Sequence, residues 1–268
     1  MLKKKEELKM RSKKLVFSLI LCLASVVSAV DPEGWWKMDD STNLGLNSGT
    51  MGSAWNMTVF STPQYVTPGA PGASPTGCVN FTASDADHLY KFNGLATSHI
   101  PGVTMCAWIN AASWDQWVFQ GSIFSTLMWD GTTNRGATLA AAQGGMMMFE
   151  LGDGLGWTSA KSDPTVNPLS LNTWYFLAGT YDGSTIDAYI NGQLVGQAFT
   201  TTATIDSTGV VNIARHPTVV TYYNGEIDDV RYYEEALTQA QIQTIMVPEP
   251  ATMFLLGAGA LIACRRRK

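Results

Sequence analysis

Histidine occurs only three times and cysteine four times in the 268 residues. No CxxC pair and no Cys/His cluster is present, which removes the common zinc-site spacings. The G-x-S-x-G, H-E-x-x-H and P-loop patterns are missing too, so no catalytic signature stands out. No apolar run reaches the roughly 20 residues of a comfortable membrane span. Basic residues are scarce where they would matter for nucleic acid. Of 17 Lys and Arg, seven lie in residues 1–29 and four in 248–268. The stretch between carries 19 acidic and 6 basic residues, a net charge of −13. So acidic a segment is a poor partner for phosphate backbones and suits an exported domain, or one that takes cations.

What is present points to strands. Only 15% of the chain is charged, and Gly, Thr and aromatics are plentiful. Residues 171–195 organise the rest. The run 173–181 sets Trp174, Phe176 and Ala178 on one face and Tyr175, Leu177 and Tyr181 on the other. Both faces are apolar, as in a strand inside a sandwich. Asp182-Gly183 breaks the run. Residues 186–190 alternate, and Asn191-Gly192 follows, a strong hairpin signal because both central positions of a type I′ turn need positive φ. Further strands are expected at 34–38, 56–60, 78–83, 88–92, 103–110, 122–129, 137–142, 146–151, 210–214 and 225–233. Residues 63–75 read as a long surface loop. Thr238 and Gln241 fit a capping box opening a short helix through about 246.

Both ends look different from the middle. Residues 1–14 are basic, 15–27 are apolar, and Val27-Ser28-Ala29 has the small residues of a cleavage site, so 1–29 reads as a signal peptide. Pro248-Glu249-Pro250, the apolar 251–263 and the basic 265–268 resemble the PEP-CTERM sorting signal that exosortase substrates of bacteria carry. That resemblance implies transient membrane anchoring through residues 247–268, processing by an exosortase, and delivery to the cell surface or extracellular matrix.

The pattern NTWYFLAGTYDGSTIDAYINGQLVG, with GWWKMDD (34–40), CVNFTASDADHLY (78–90), VTMCAWIN (103–110) and YNGEIDDVRYYEEALTQAQIQTI (223–245), resembles laminin-G-like, concanavalin A-like jelly rolls. It implies an all-β fold, a two-sheet antiparallel sandwich over 30–246, with its first and last strands side by side. Some relatives are glycoside hydrolases that carry E-x-D-x-E on one strand. Here Glu226-Ile227-Asp228-Asp229-Val230 lacks the second Glu, and the carboxylate pair needed for cleavage is incomplete. His88, His99 and His216 are scattered, with structural or surface roles. The expected protein is therefore not an enzyme.

Several site expectations follow. Asp39 or Asp40 with Asp228 could bind a structural Ca²⁺, as the resemblance suggests; alternatively Asp228 accepts backbone hydrogen bonds from a neighbouring turn. Trp114, Trp117, Trp129, Trp157, Tyr222 and Tyr223 lie in or beside loops and are the candidate sugar-stacking residues, with packing as the other reading. Cys78 and Cys106 either form a disulfide or stay as buried thiols. The expected function is an exported module binding an extracellular polysaccharide or surface protein. A structural matrix protein without a sugar ligand is the alternative, and a glycoside hydrolase the remotest.

Overall fold

Alternation of apolar side chains builds two sheets that share one core. A computed structural model describes residues 30–73, 77–92, 102–114, 121–129, 131–205, 209–217 and 219–247. Strands are numbered in chain order. One sheet has eight strands: β1 (Gly34–Trp36), β3 (Gln64–Val66), β4 (Cys78–Phe81), β6 (Val103–Ala111), β13 (Trp174–Tyr181), β14 (Thr185–Ile190), β15 (Gln193–Phe199) and β17 (Gly225–Tyr233). The other has seven: β2 (Thr58–Phe60), β5 (His88–Lys91), β7 (Ser122–Ser125), β10 (Ala137–Ala142), β11 (Met146–Gly152), β12 (Trp157–Lys161) and β16 (Val211–Ile213). A separate ribbon pairs β8 (Met128–Trp129) with β9 (Asn134–Arg135). All of these pairings are antiparallel.

The expected two-faced strand is β13, paired with β6 on one side and β14 on the other. Its inward residues Leu177 and Tyr181 join the core between the sheets, with Trp36, Phe124, Phe149 and Tyr232. Its outward residues Phe176 and Ala178 join a second cluster with Trp108, Tyr189 and Tyr233. Helix α1 (Gln239–Ile245) caps that cluster by burying Ile242 and Ile245. The capping box is present: Thr238 accepts from the Gln241 backbone, and the Gln241 side chain accepts from the Thr238 N–H. Asn191 and Gly192 sit at φ 49° and 71°, as the turn before β15 requires.

The last strand organises the eight-stranded sheet. Along one edge β17 pairs with β6. Its other edge is shared by β4, opposite residues 225–227, and β1, opposite 230–232. First and last strands are thus neighbours, as expected. A bulge between Asp228 and Arg231 puts Asp229 at φ 52°.

Some expectations change. The run 122–129 is not one strand; β7 ends at Ser125 and β8 leaves for the small ribbon. The loop at 63–75 contains the edge strand β3, and Trp157 opens a strand of its own. Cys78 and Cys106 are buried free thiols and not a disulfide. They belong to β4 and β6, and β17 runs between those strands. Two interstrand spacings, about 10 Å, exceed the reach of a disulfide. Burial pushes both thiols up to about 12, so neither is a ready nucleophile. The signal-peptide residues 1–29, His99, Trp117 and the sorting residues Pro248, Glu249 and Pro250 lie outside the described residues.

Candidate functional site

At one end of the sandwich, the loops after β4 and β6 meet the loop that enters β17. Asn224 ties them. Its Nδ2 donates to Ser113 Oγ at 2.8 Å, its Oδ1 accepts from Ala83 N at 3.3 Å, and its carbonyl accepts from Ala112 N at 3.0 Å. Gly225 follows at φ 139°, where a β-carbon would lie 2.3 Å from Asn110 O. Gly121 does the same on the facing sheet, at φ 104° and 2.2 Å from Ala141 O. Such close backbone approaches leave no room for a side chain and fix the two walls.

Between them is a cavity of about 170 Å³ lined by Ala83, Ser113, Trp114, Gly121, Ala141, Tyr222, Tyr223 and Asn224. Three of the six candidate aromatics therefore converge: Trp114, Tyr222 and Tyr223. Trp114 and Tyr222 are half-buried, and Tyr223 is buried to 2% exposure within the core. Tyr223 is a wall of the cavity and not a free stacking face. Trp129 and Trp157 stand elsewhere. Trp157 is opposite Gly152 and Trp129 opposite Asn134. Gly152 is near the Ala137 end of β10, whereas the cavity uses Ala141 near the other. Trp129 is 62% exposed.

The carboxylates of β17 do not gather on the cavity. Glu226 accepts from Asn110 Nδ2 at 2.8 Å. Asp228 is fully buried; its Oδ2 accepts from Ala70 N at 2.9 Å, and its Oδ1 has no hydrogen-bond partner. Burial pushes Asp228 up to about 8, and the charges of Asp229 and Asp39 add to the rise. Asp229 holds Arg231 through both carboxylate oxygens and accepts from Trp35 Nε1. Val230, where E-x-D-x-E would need its second Glu, points into the intersheet core.

Of the candidate calcium ligands, Asp39 is within electrostatic reach of Asp228. Asp40 is engaged with its own turn, accepting from the Thr42 N–H and hydroxyl, which hold its carboxyl below the usual range. Among the described residues, no three His, Cys, Asp or Glu side chains are grouped to hold a metal. Asp228 Oδ1 has no hydrogen-bond partner and Asp39 acts on the carboxyl electrostatically, while Oδ2 takes its backbone hydrogen bond from Ala70, as in the other reading of Asp228.

A two-sheet antiparallel sandwich with its first and last strands adjacent defines the class. The model of the Concanavalin A-like lectin/glucanases superfamily matches residues 85–243, and the chain belongs to this superfamily. Residues 247–268 match the PEP-CTERM protein-sorting motif, which implies an exported protein sorted to the cell surface and processed by an exosortase. No helix among the described residues is long and apolar enough to cross a membrane. No curated protein matches the chain. Among solved structures, domain 4 of AbnA, a GH43 extracellular arabinanase from Geobacillus stearothermophilus, in complex with arabinotriose, is similar with a TM-score of 0.62 at 16% identity; the match covers 82% of this chain and all of that one. The receptor binding domain of botulinum neurotoxin D gives 0.58 at 14% identity, over 81% of this chain and 52% of that one. The chain thus spans about half the length of the neurotoxin domain, and both likenesses show a shared fold.

Proposed function

We propose that this protein is an exported, non-catalytic binding module for carbohydrate, with the loop-end cavity as its sugar site and extracellular polysaccharide as its partner. The observation that carries this reading is the convergence of Trp114 and Tyr222 with Ser113 and Asn224 around about 170 Å³. Aromatic walls with a few polar groups suit a sugar, whose C–H face packs on rings while its hydroxyls hydrogen-bond. The arabinanase domain carries arabinotriose on the same fold, which supports the chemistry. A non-catalytic role is supported by the lining, which includes neither Glu226 nor Asp228, since glycoside cleavage needs two carboxylates flanking one bond. Calcium on Asp228 and Asp39 would act as a structural ion, completed by backbone oxygens.

The test is binding of the full-length chain to a glycan array that includes arabinan and the producer's own exopolysaccharide, with calcium and with chelator. Binding that is lost in Trp114→Ala and kept in Trp129→Ala is expected. A folded chain that binds no glycan would replace this reading with that of a matrix protein.

A further inference from the structure

Strand β5 carries a row of rings on the face turned away from the core. Leu89 points into the core, and Lys91 reaches Trp55, its Nζ 5.8 Å from the ring centroid. His88 and Tyr90, and Phe92 just beyond the strand, take the other side, as a period of two requires. Adjacent ring centroids are 5.7 Å apart from His88 to Tyr90 and 5.0 Å from Tyr90 to Phe92. At His88 the row meets Phe60 of the edge strand β2, at 4.6 Å, and Tyr222, at 5.7 Å. Tyr222 also lines the cavity, so row and cavity are continuous. Phe92 is 63% and Phe60 48% exposed.

Polar groups flank the rings. Thr58, exposed, is directly opposite Tyr90 on β2. Arg215, paired in backbone register with Tyr222, has a buried Nε without a hydrogen-bond partner. Burial lowers His88, so its ring is neutral near pH 7 and adds no charge to the row.

Beyond His88, where Phe60 and Tyr222 flank it, the row narrows to Tyr90 and Phe92, one side chain wide. A stable protein interface covers about 800 Å² on each partner, with a broad apolar centre. A ladder of rings separated by single steps instead suits a linear chain of rings. The rings are not coplanar: neighbouring planes meet at 31° for Phe60 and His88, 41° for His88 and Tyr90 and 73° for Tyr90 and Phe92. A flat crystalline polysaccharide face cannot lie on rings that share no plane, whereas a single chain that twists along its length can.

Resting on the carbohydrate reading of the cavity, we propose that Phe60, Tyr90 and Phe92, seated around the buried ring of His88, form an extended platform for a single soluble glycan chain running away from the cavity. The protein is then a reader of linear, twisting polysaccharide and not of isolated sugars or of crystalline surfaces.

The experiment is affinity gel electrophoresis of the full chain in soluble arabinan, xylan, hydroxyethyl cellulose and alginate, with sedimentation on microcrystalline cellulose and chitin. Calorimetry follows, with oligosaccharides of increasing length from the best-retarding polymer. Retardation by a soluble polymer, without co-sedimentation, is expected. Affinity rises with length, and Phe60→Ala, Tyr90→Ala and Phe92→Ala each weaken long-chain binding about fivefold or more, as loss of an anchoring aromatic does. Phe60 and Phe92 are exposed, so those two variants keep the wild-type melting curve.

Retardation that survives the platform variants but fails in Trp114→Ala would overturn the platform and keep the cavity. Retardation lost in the platform variants alone would overturn the cavity reading. Binding to microcrystalline cellulose or chitin only, or a dimer that Phe92→Ala converts to monomer, would overturn the single-chain platform. No retardation in any polymer would overturn both.

Discussion

Phe149 of the seven-stranded sheet rests on Gly179 of the eight-stranded one: a β-carbon at position 179 would fall 2.0 Å from Phe149 Cγ. Both lie where the two sheets face each other, and the missing side chain lets them close over the ring. Gly179→Ala is expected to destabilise the domain by about 1–3 kcal/mol through overpacking. Urea unfolding measures this. Phe149→Leu in the same chain is expected to recover part of the loss, because the obstruction is the ring.

Asp228 makes stability depend on pH. Its carboxyl is raised from 3.8 to about 8 in the folded chain, first by burial. Between those values the folded state holds a proton that the unfolded state has released, so stability falls as pH rises. The contribution is fully present below about pH 4 and lost by about pH 8, with a slope of up to ~1.4 kcal/mol per pH unit in chelator. Asp228→Asn keeps an oxygen for the Ala70 N–H and is expected to remove that slope. Thermal melting from pH 5 to pH 8 checks it; equal slopes in both chains would refute the assignment.

The proposed calcium ion would be a second way to neutralise the same buried carboxylate. Added Ca²⁺ is expected to raise the melting temperature at pH 8, where the carboxyl is ionised, more than at pH 5. Asp228→Asn should abolish the gain. Differential scanning calorimetry with calcium and with EGTA measures both, and identical melting in the two would rule out the calcium site.

The thiols are expected to be inert. In a chain with Cys22→Ser and Cys264→Ser, a thiol reagent should label neither Cys78 nor Cys106 while the domain is folded, and both after unfolding. No labelling after unfolding would mean a disulfide.

Much of the sandwich was legible because its signals are local. The two-faced run that became β13, the Asn191-Gly192 turn and the Thr238–Gln241 box each need only a few neighbouring residues. The disulfide alternative failed because strand adjacency is not local: β17, more than 110 residues after β6, inserts itself between the two cysteines. Strand β3 was hidden because Gln64 is exposed and Tyr65 and Val66 half-exposed at a sheet edge, inside a Pro- and Gly-rich stretch. The six candidate aromatics were chosen by position in loops, which cannot say at which end of a sandwich a loop emerges. The row on β5 had a visible sign, His88, Tyr90 and Phe92 at alternate positions. Its partners Phe60 and Tyr222 come from distant sequence, and only folding shows them to be one surface.

Arg231 Nη1 donates to the carbonyl of Ile245, the last residue of α1, at 3.1 Å. That bond pins the chain two residues before the sorting motif begins at 247. Val30 packs against the same outer cluster as Ile245 and Met246, so both ends of the sandwich emerge together. Met246 also lies beside Gly72 and Trp108, so the chain leaves from the outer face of the eight-stranded sheet. A chain tethered through its tail would turn that face toward whatever surface it hangs on and leave the seven-stranded sheet, with β5, facing away.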